Sequence, residues 1–132
     1  MTSIDARVVS GLGQGDDLAV ALAVAAEPIE DVIAFARASE LPVDAVARVA
    51  LPGGPRAARI ADGGDAVGAV HGIRDATRRL LRETAARRIH LFLAAPAGLA
   101  LLLGHRWNRI APTVVYEDLG LDDYQPAYDI TA

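Results

Sequence analysis

The sequence predicts an α/β fold built on a mostly parallel sheet, and three observations predict it. Apolar runs of strand length, rich in Val, Leu and Ile, alternate with stretches of helical periodicity. Prolines stand at the junctions, with Pro28, Pro42 and Pro112 each closing one element before the next begins. Residues 88–117 read as strand, small-residue turn, helix and strand, which is the repeating unit of a parallel sheet.

Residues 1–17 are polar and glycine-rich and read as a flexible lead-in, with Val8-Val9 as a short edge strand. Gly11, Gly13 and Gly15 have the look of a dinucleotide fingerprint. They precede a strand instead of joining a strand to a helix, so the context is wrong. Residues 18–25 form a continuous Leu/Val/Ala run. Such alanine-rich composition also suits a helix, but Pro28 closes the run early and favours a central strand. A helix over 29–39 follows, with Ile29, Val32, Ile33, Phe35 and Ala36 on one face. Pro42 stops it, and residues 43–51 alternate as Val43, Ala45, Ala47, Val49 and Leu51, a second strand.

Pro52-Gly53-Gly54-Pro55 is a turn, residues 56–61 hold a few extended positions, and Asp62-Gly63-Gly64-Asp65 is another break. Asp65 fits a helix cap. The helix expected over 66–86 buries Val67, Val70, Ile73, Thr77, Leu80, Leu81 and Thr84, and turns Arg74, Arg78 and Arg82 outward. Residues 89–94 are the next strand. Ala95-Pro96-Ala97-Gly98 is a turn that opens a helix carrying Leu99, Leu102, Leu103, Arg106 and Trp107. Residues 113–116 make a β-branched and aromatic strand, and 125–130 add an antiparallel edge strand within an acidic, turn-rich tail.

Three parallel crossovers result, each expected to be right-handed. Ligands in such sheets bind beyond the carboxyl ends of the strands. Four loops are expected there: Ala26-Glu27-Pro28, Pro52-Gly53-Gly54, Ala95 to Gly98, and Glu117-Asp118.

The chain has 132 residues, enough for one domain with a real core. Its 13 basic residues are all arginine, against 17 acids, so the net charge is −4 and nothing draws it globally towards duplex DNA. Without cysteine there is no disulfide framework and no thiolate metal site. The longest apolar run, 91–103, falls short of the roughly 18 residues a membrane span needs. No signal peptide follows Met1, so the protein reads as soluble and cytoplasmic.

Catalytic chemistry finds little support. Ser3, Ser10 and Ser39 are the only serines, and none sits on a strand-to-helix elbow. The absence of lysine rules out a P-loop. His71 and Asp75 have metal-pair spacing with nothing to complete a site. His90, inside a strand, reads as a satisfied core residue, and His105-Arg106 suits a helix end. The arginine stripe reads as a solvated face paired with Asp75 and Glu83. Trp107 and Tyr116 suit a base stack and a core equally. What remains is a rim of Gly, Pro and Ala loops where backbone can approach a ligand closely, which suits binding better than turnover.

Ile89-His90-Leu91-Phe92-Leu93-Ala94-Ala95-Pro96-Ala97-Gly98-Leu99-Ala100, then Leu103-Gly104-His105-Arg106-Trp107-Asn108 and Val114-Val115-Tyr116-Glu117, resemble the SAVED domain. So does Asp62-Gly63 ahead of a long helix. The resemblance covers about 18 to 130. SAVED domains are sensor modules of bacterial anti-phage systems, both CBASS and type III CRISPR. The resemblance implies a three-layer, Rossmann-like and CARF-like fold with helices on both faces of the sheet. It also implies that this is a single domain over 1–132 corresponding to the carboxyl-terminal half of a full SAVED domain, with no effector. Matching motif positions makes Asp62, Gly63, Ala95, Pro96, Ala97, Gly98 and Tyr116 the ligand-site candidates.

The expected function is therefore a non-enzymatic sensor half-domain for a cyclic oligonucleotide, adenine-containing, that couples ligand to oligomerisation and effector activation. It requires no cofactor, metal or catalytic residue. Its partners would be a second copy or another chain supplying the missing half and the effector, with no duplex DNA and no membrane. Two rival readings are a structural or oligomerisation subunit with a vestigial pocket, and a small α/β ring nuclease relying on His71 or His105.

Overall fold

Along β2 (Asp17–Ala23) the side chains alternate between two buried sets, Leu18, Val20 and Leu22 in one apolar cluster and Ala19 and Ala21 in another. A strand sends successive side chains to opposite faces, so a strand buried on both is central. From Ala45 on, β3 (Val43–Ala50) divides likewise, with Ala45, Ala47 and Val49 in the first cluster and Val46 in the second; Val43, ahead of a slip in the ladder to β2, also joins the second. In β4 (Ile89–Ala94) Ile89 and Leu91 oppose Phe92, and in β5 (Thr113–Asp118) Val115 opposes Tyr116. β1 (Asp5–Gly11) and β6 (Tyr124–Ile130) complete a six-stranded sheet of order β1-β3-β2-β4-β5-β6. This is a computed structural model, which describes residues 4–23, 29–50, 63–94, 111–118 and 124–130.

The four inner strands are parallel: β2 pairs with β3 and with β4, and β4 with β5. The outer two run antiparallel, β1 against β3 and β6 against β5. Both outer ladders slip by a residue, between Val8 and Ser10 in β1 and between Val115 and Tyr116 opposite β6. Pro126, which lacks an N–H, lies at that second slip.

The helix α1 (Ile29–Ala38) places Val32 and Ala36 in the second cluster, and α2 (Gly63–Thr84) places Val70, Ile73, Ala76 and Leu80 in the first. Glu30 and Asp31 in the first turn of α1 and Arg37 in its last complement the helix dipole. The end of α1 is a Schellman turn: Leu41 N donates to Ala36 O at 3.1 Å and Glu40 N to Arg37 O at 3.2 Å, with Glu40 left-handed at φ 52°.

The segment between β1 and β2 is a clamp on that turn. Leu12 N and Gly13 N donate to Asp44 O, Gln14 N to Val43 O and Asp17 N to Pro42 O, at 2.8 to 3.0 Å. The Gln14 side chain donates to Ala36 O and Leu41 O at 3.0 and 2.8 Å. Where a flexible lead-in was expected over 1–17, the described part is a strand and a hydrogen-bonded loop. The glycines serve close approach: Gly15 lies so near Pro42 that no side chain fits between them, and Gly13 has φ 64°.

Three other expectations change. α2 starts at Gly63, not at 66, so Asp65 lies inside its first turn and not at the cap position. Glu117-Asp118 is not a rim loop; both residues pair with β6, opposite Gln125 and Tyr124. Arg74 and Arg78 are half-buried, so only Arg82 of the arginine stripe is fully outward. Arg79 pairs with Glu83 at 3.5 Å, and it also donates to Ala6 O on the outer strand. The expected extended positions at 56–61 and the helix after Gly98 lie outside the described residues. No described helix is long and apolar enough to cross a membrane.

Candidate ligand-binding site

Parallel strands deliver their carboxyl ends to one edge. Ala23 is in register with Ala50 on one side and Ala94 on the other, so three adjacent strands end in alanine. Ala23 and Ala50 are themselves buried, so the edge at this level is closed, and ligands of such sheets lie beyond the strand ends. β5 reaches the same edge at Asp118.

α2 flanks this edge. An added side chain on Gly72 would meet Ile4, which precedes β1 beside the carboxyl end of β3, and Arg79 reaches Ala6 two residues further along. The helix therefore runs from the carboxyl edge towards the amino edge. At 1.5 Å per residue, residues 63–71 rise about 13 Å beyond the level of Ile4. Gly63, one candidate, thus stands on the carboxyl side at the helix start. Asp62, Ala95, Pro96, Ala97 and Gly98 lie outside the described residues.

Tyr116 is 4% exposed and stacks on Phe92, with ring centroids 4.4 Å apart and planes 13° from parallel. Phe35 meets both rings edge-on. Of the two readings open for Tyr116, the core position is the one observed; its register partner Phe92 lies two residues before Ala94.

His90 joins this cluster and is satisfied at both nitrogens, as expected for a core histidine. Nδ1 is 2.7 Å from the Tyr116 hydroxyl and Nε2 is 2.8 Å from Asp17 Oδ2. An ionised Asp17 can only accept, so Nε2 carries hydrogen, and in a neutral ring Nδ1 then accepts from the Tyr116 O–H. Asp17 and Tyr116 were missed as partners of His90. The sequence places Asp17 73 residues away, with no local signal for the pairing. Acid, imidazole and hydroxyl have the connectivity of a charge relay, but the hydroxyl is buried, so the arrangement does not offer a nucleophile to a substrate. Among the described residues no cluster of His, Asp and Glu could hold a metal ion, and His71 and Asp75 gain no third ligand.

Comparison with known proteins agrees with this architecture. The family model described as "SMODS-associated and fused to various effectors sensor domain" matches residues 2–130. A search of curated proteins finds no match. Among solved structures, the Acinetobacter baumannii Cap4 SAVED/CARF-domain containing receptor with 3'3'3'-cAAA is similar at a TM-score of 0.79 and 18% identity, over 98% of this chain and 28% of the receptor. The same receptor with 2'3'3'-cAAA gives a TM-score of 0.73 at 18% identity, over 96% of this chain and 27% of the other. A third Cap4 structure gives a TM-score of 0.67 at 19% identity, over 98% and 26%. At such identity the likeness establishes the fold, and this chain spans less than a third of the receptor's length. Because that family model matches residues 2–130, nearly the whole of this chain, the chain belongs to the SAVED family of sensor domains.

Proposed function

We propose that this chain is a non-enzymatic sensor module that binds a cyclic, adenine-containing oligonucleotide across the carboxyl edge of its sheet. The observation that supports this most is the sensor-domain family match over residues 2–130, beside an edge where three parallel strands end in register next to the start of α2. A ring of phosphates is flat and polyanionic; it needs close backbone approach and free N–H groups more than bulky side chains. In this reading Gly63 and Asp62 contribute at the start of α2, and Ala95, Pro96, Ala97 and Gly98 at the turn that follows β4. Tyr116 shapes the floor from below. The related Cap4 receptor was solved with two cyclic triadenylates, which favours adenine bases.

The proposal includes a three-layer Rossmann-like arrangement with helices on both faces. Ligand would bias self-association or docking to a chain carrying the other half and an effector, in anti-phage defence of the CBASS or type III CRISPR kind and in the cytoplasm.

Isothermal calorimetry with 3'3'3'-cAAA, 2'3'3'-cAAA and linear triadenylate tests the reading, with mass spectrometry of the recovered nucleotide. Binding of an intact ring, lost in Gly98→Glu, is the expected result. Ring opening would favour a nuclease instead, and no binding to any ring would favour a structural subunit. Light scattering with and without the ring reads out association.

A further inference from the structure

We infer that His90 is a positioning residue: through Tyr116 it sets where the carboxyl end of β5 meets the ligand edge. The geometry is a diagonal across three strands. His90 lies in register with Ala19 of β2 and Val114 of β5. Its hydrogen bonds, however, go two residues back along β2, to Asp17, and two residues forward along β5, to Tyr116. Two bonds of opposite slant on one buried ring fix the stagger of β5 against β4 and β2. The ring is well placed to do so, with its side chain 5% exposed and Asp17 17% exposed.

The anchor falls where the outer pairing of β5 is irregular. The ladder to β6 slips between Val115 and Tyr116, where Pro126 is the facing residue and offers no N–H. On the inner side Tyr116 is held through its hydroxyl on His90 and its ring on Phe92. Asp118, the last residue of β5, is only two positions further on. A change in the His90 bond is thus transmitted to the edge by the shortest stretch of strand.

The link to ligand rests on the sensor reading above; the structural part does not. Hydrogen exchange on the whole chain without ligand tests that part. Tyr116→Phe keeps the stacked ring and removes only the hydroxyl, so folding is retained. It should raise exchange across 114–118 about tenfold, the loss expected for one buried hydrogen bond, with peptides from β2 and β3 unchanged. Asp17→Asn still offers an oxygen to Nε2–H and should stay within about twofold of the parent. Exchange at 114–118 equal to the parent in Tyr116→Phe, or raised equally throughout the chain, would overturn the proposal. Calorimetry with 3'3'3'-cAAA then reads the consequence: affinity should fall about fivefold or more in Tyr116→Phe and hold in Asp17→Asn. Unchanged affinity beside altered exchange overturns the link to the edge. A parent chain that binds no ring defeats the sensor reading, while the exchange data still decide the role of His90.

Discussion

Replacing Gly15 by alanine should break the clamp between the β1–β2 loop and the end of α1. A Cβ at Gly15 would lie 2.3 Å from the Pro42 carbonyl oxygen and 2.4 Å from its carbon. Carbon–oxygen contacts settle at about 3.3 Å or more, so the two backbones must part by about 1 Å. The obstacle is backbone and cannot rotate aside. A shift of that size takes Asp17 N→Pro42 O and Gln14 N→Val43 O, both 3.0 Å, outside hydrogen-bonding range. At about 0.5–1.5 kcal/mol for each bond, the loss is about 1–3 kcal/mol. In urea titration this appears as a midpoint about 1 M lower with the slope unchanged. Gly11→Ala is the control, because a Cβ there meets nothing within 4 Å. It should change stability by less than about 0.5 kcal/mol. If Gly15→Ala and Gly11→Ala share one midpoint, the close approach does not exist in solution and the reasoning fails.

Three further substitutions probe other parts of the fold. Glu40→Gly relieves a left-handed side chain at the Schellman turn and should stabilise by about 0.5–1 kcal/mol, read as a higher thermal midpoint. Gly68→Ala, exposed within α2 and free of neighbours, should also stabilise by up to about 1 kcal/mol in urea; a loss would mean that this helix is interrupted there. Phe92→Ala removes a fully buried ring that stacks on Tyr116 and meets Phe35, and should cost about 3–5 kcal/mol. A near-neutral unfolding curve for Phe92→Ala would contradict the packing of the second cluster.

Strands and helices were legible where pattern and boundary agree. Pro42 and the alternation after it place β3 within a residue, and the apolar run at 89–94 matches β4 at both ends. The start of α2 was hidden because Gly63-Gly64 reads as a breaker by propensity, although a first helical turn can contain glycine. The clamp was hidden because its bonds run to residues such as Ala36 and Leu41, more than twenty positions from Gln14. Strand order is non-local for the same reason: nothing in residues 43–50 says that β3 lies between β1 and β2. The proposed ligand edge rests on motif and topology, whereas the buried line from Asp17 to Tyr116 is a product of register alone.

The outer strands have a bearing on how copies of the molecule can meet. A sheet margin with a regular ladder invites another chain to zip onto it, and such a seam rarely reopens. Here one margin is kinked at Val9 and has the Arg79 guanidinium seated on its Ala6 carbonyl, and the other contains Pro126. Regular strand addition is thereby disfavoured at both margins of the described sheet.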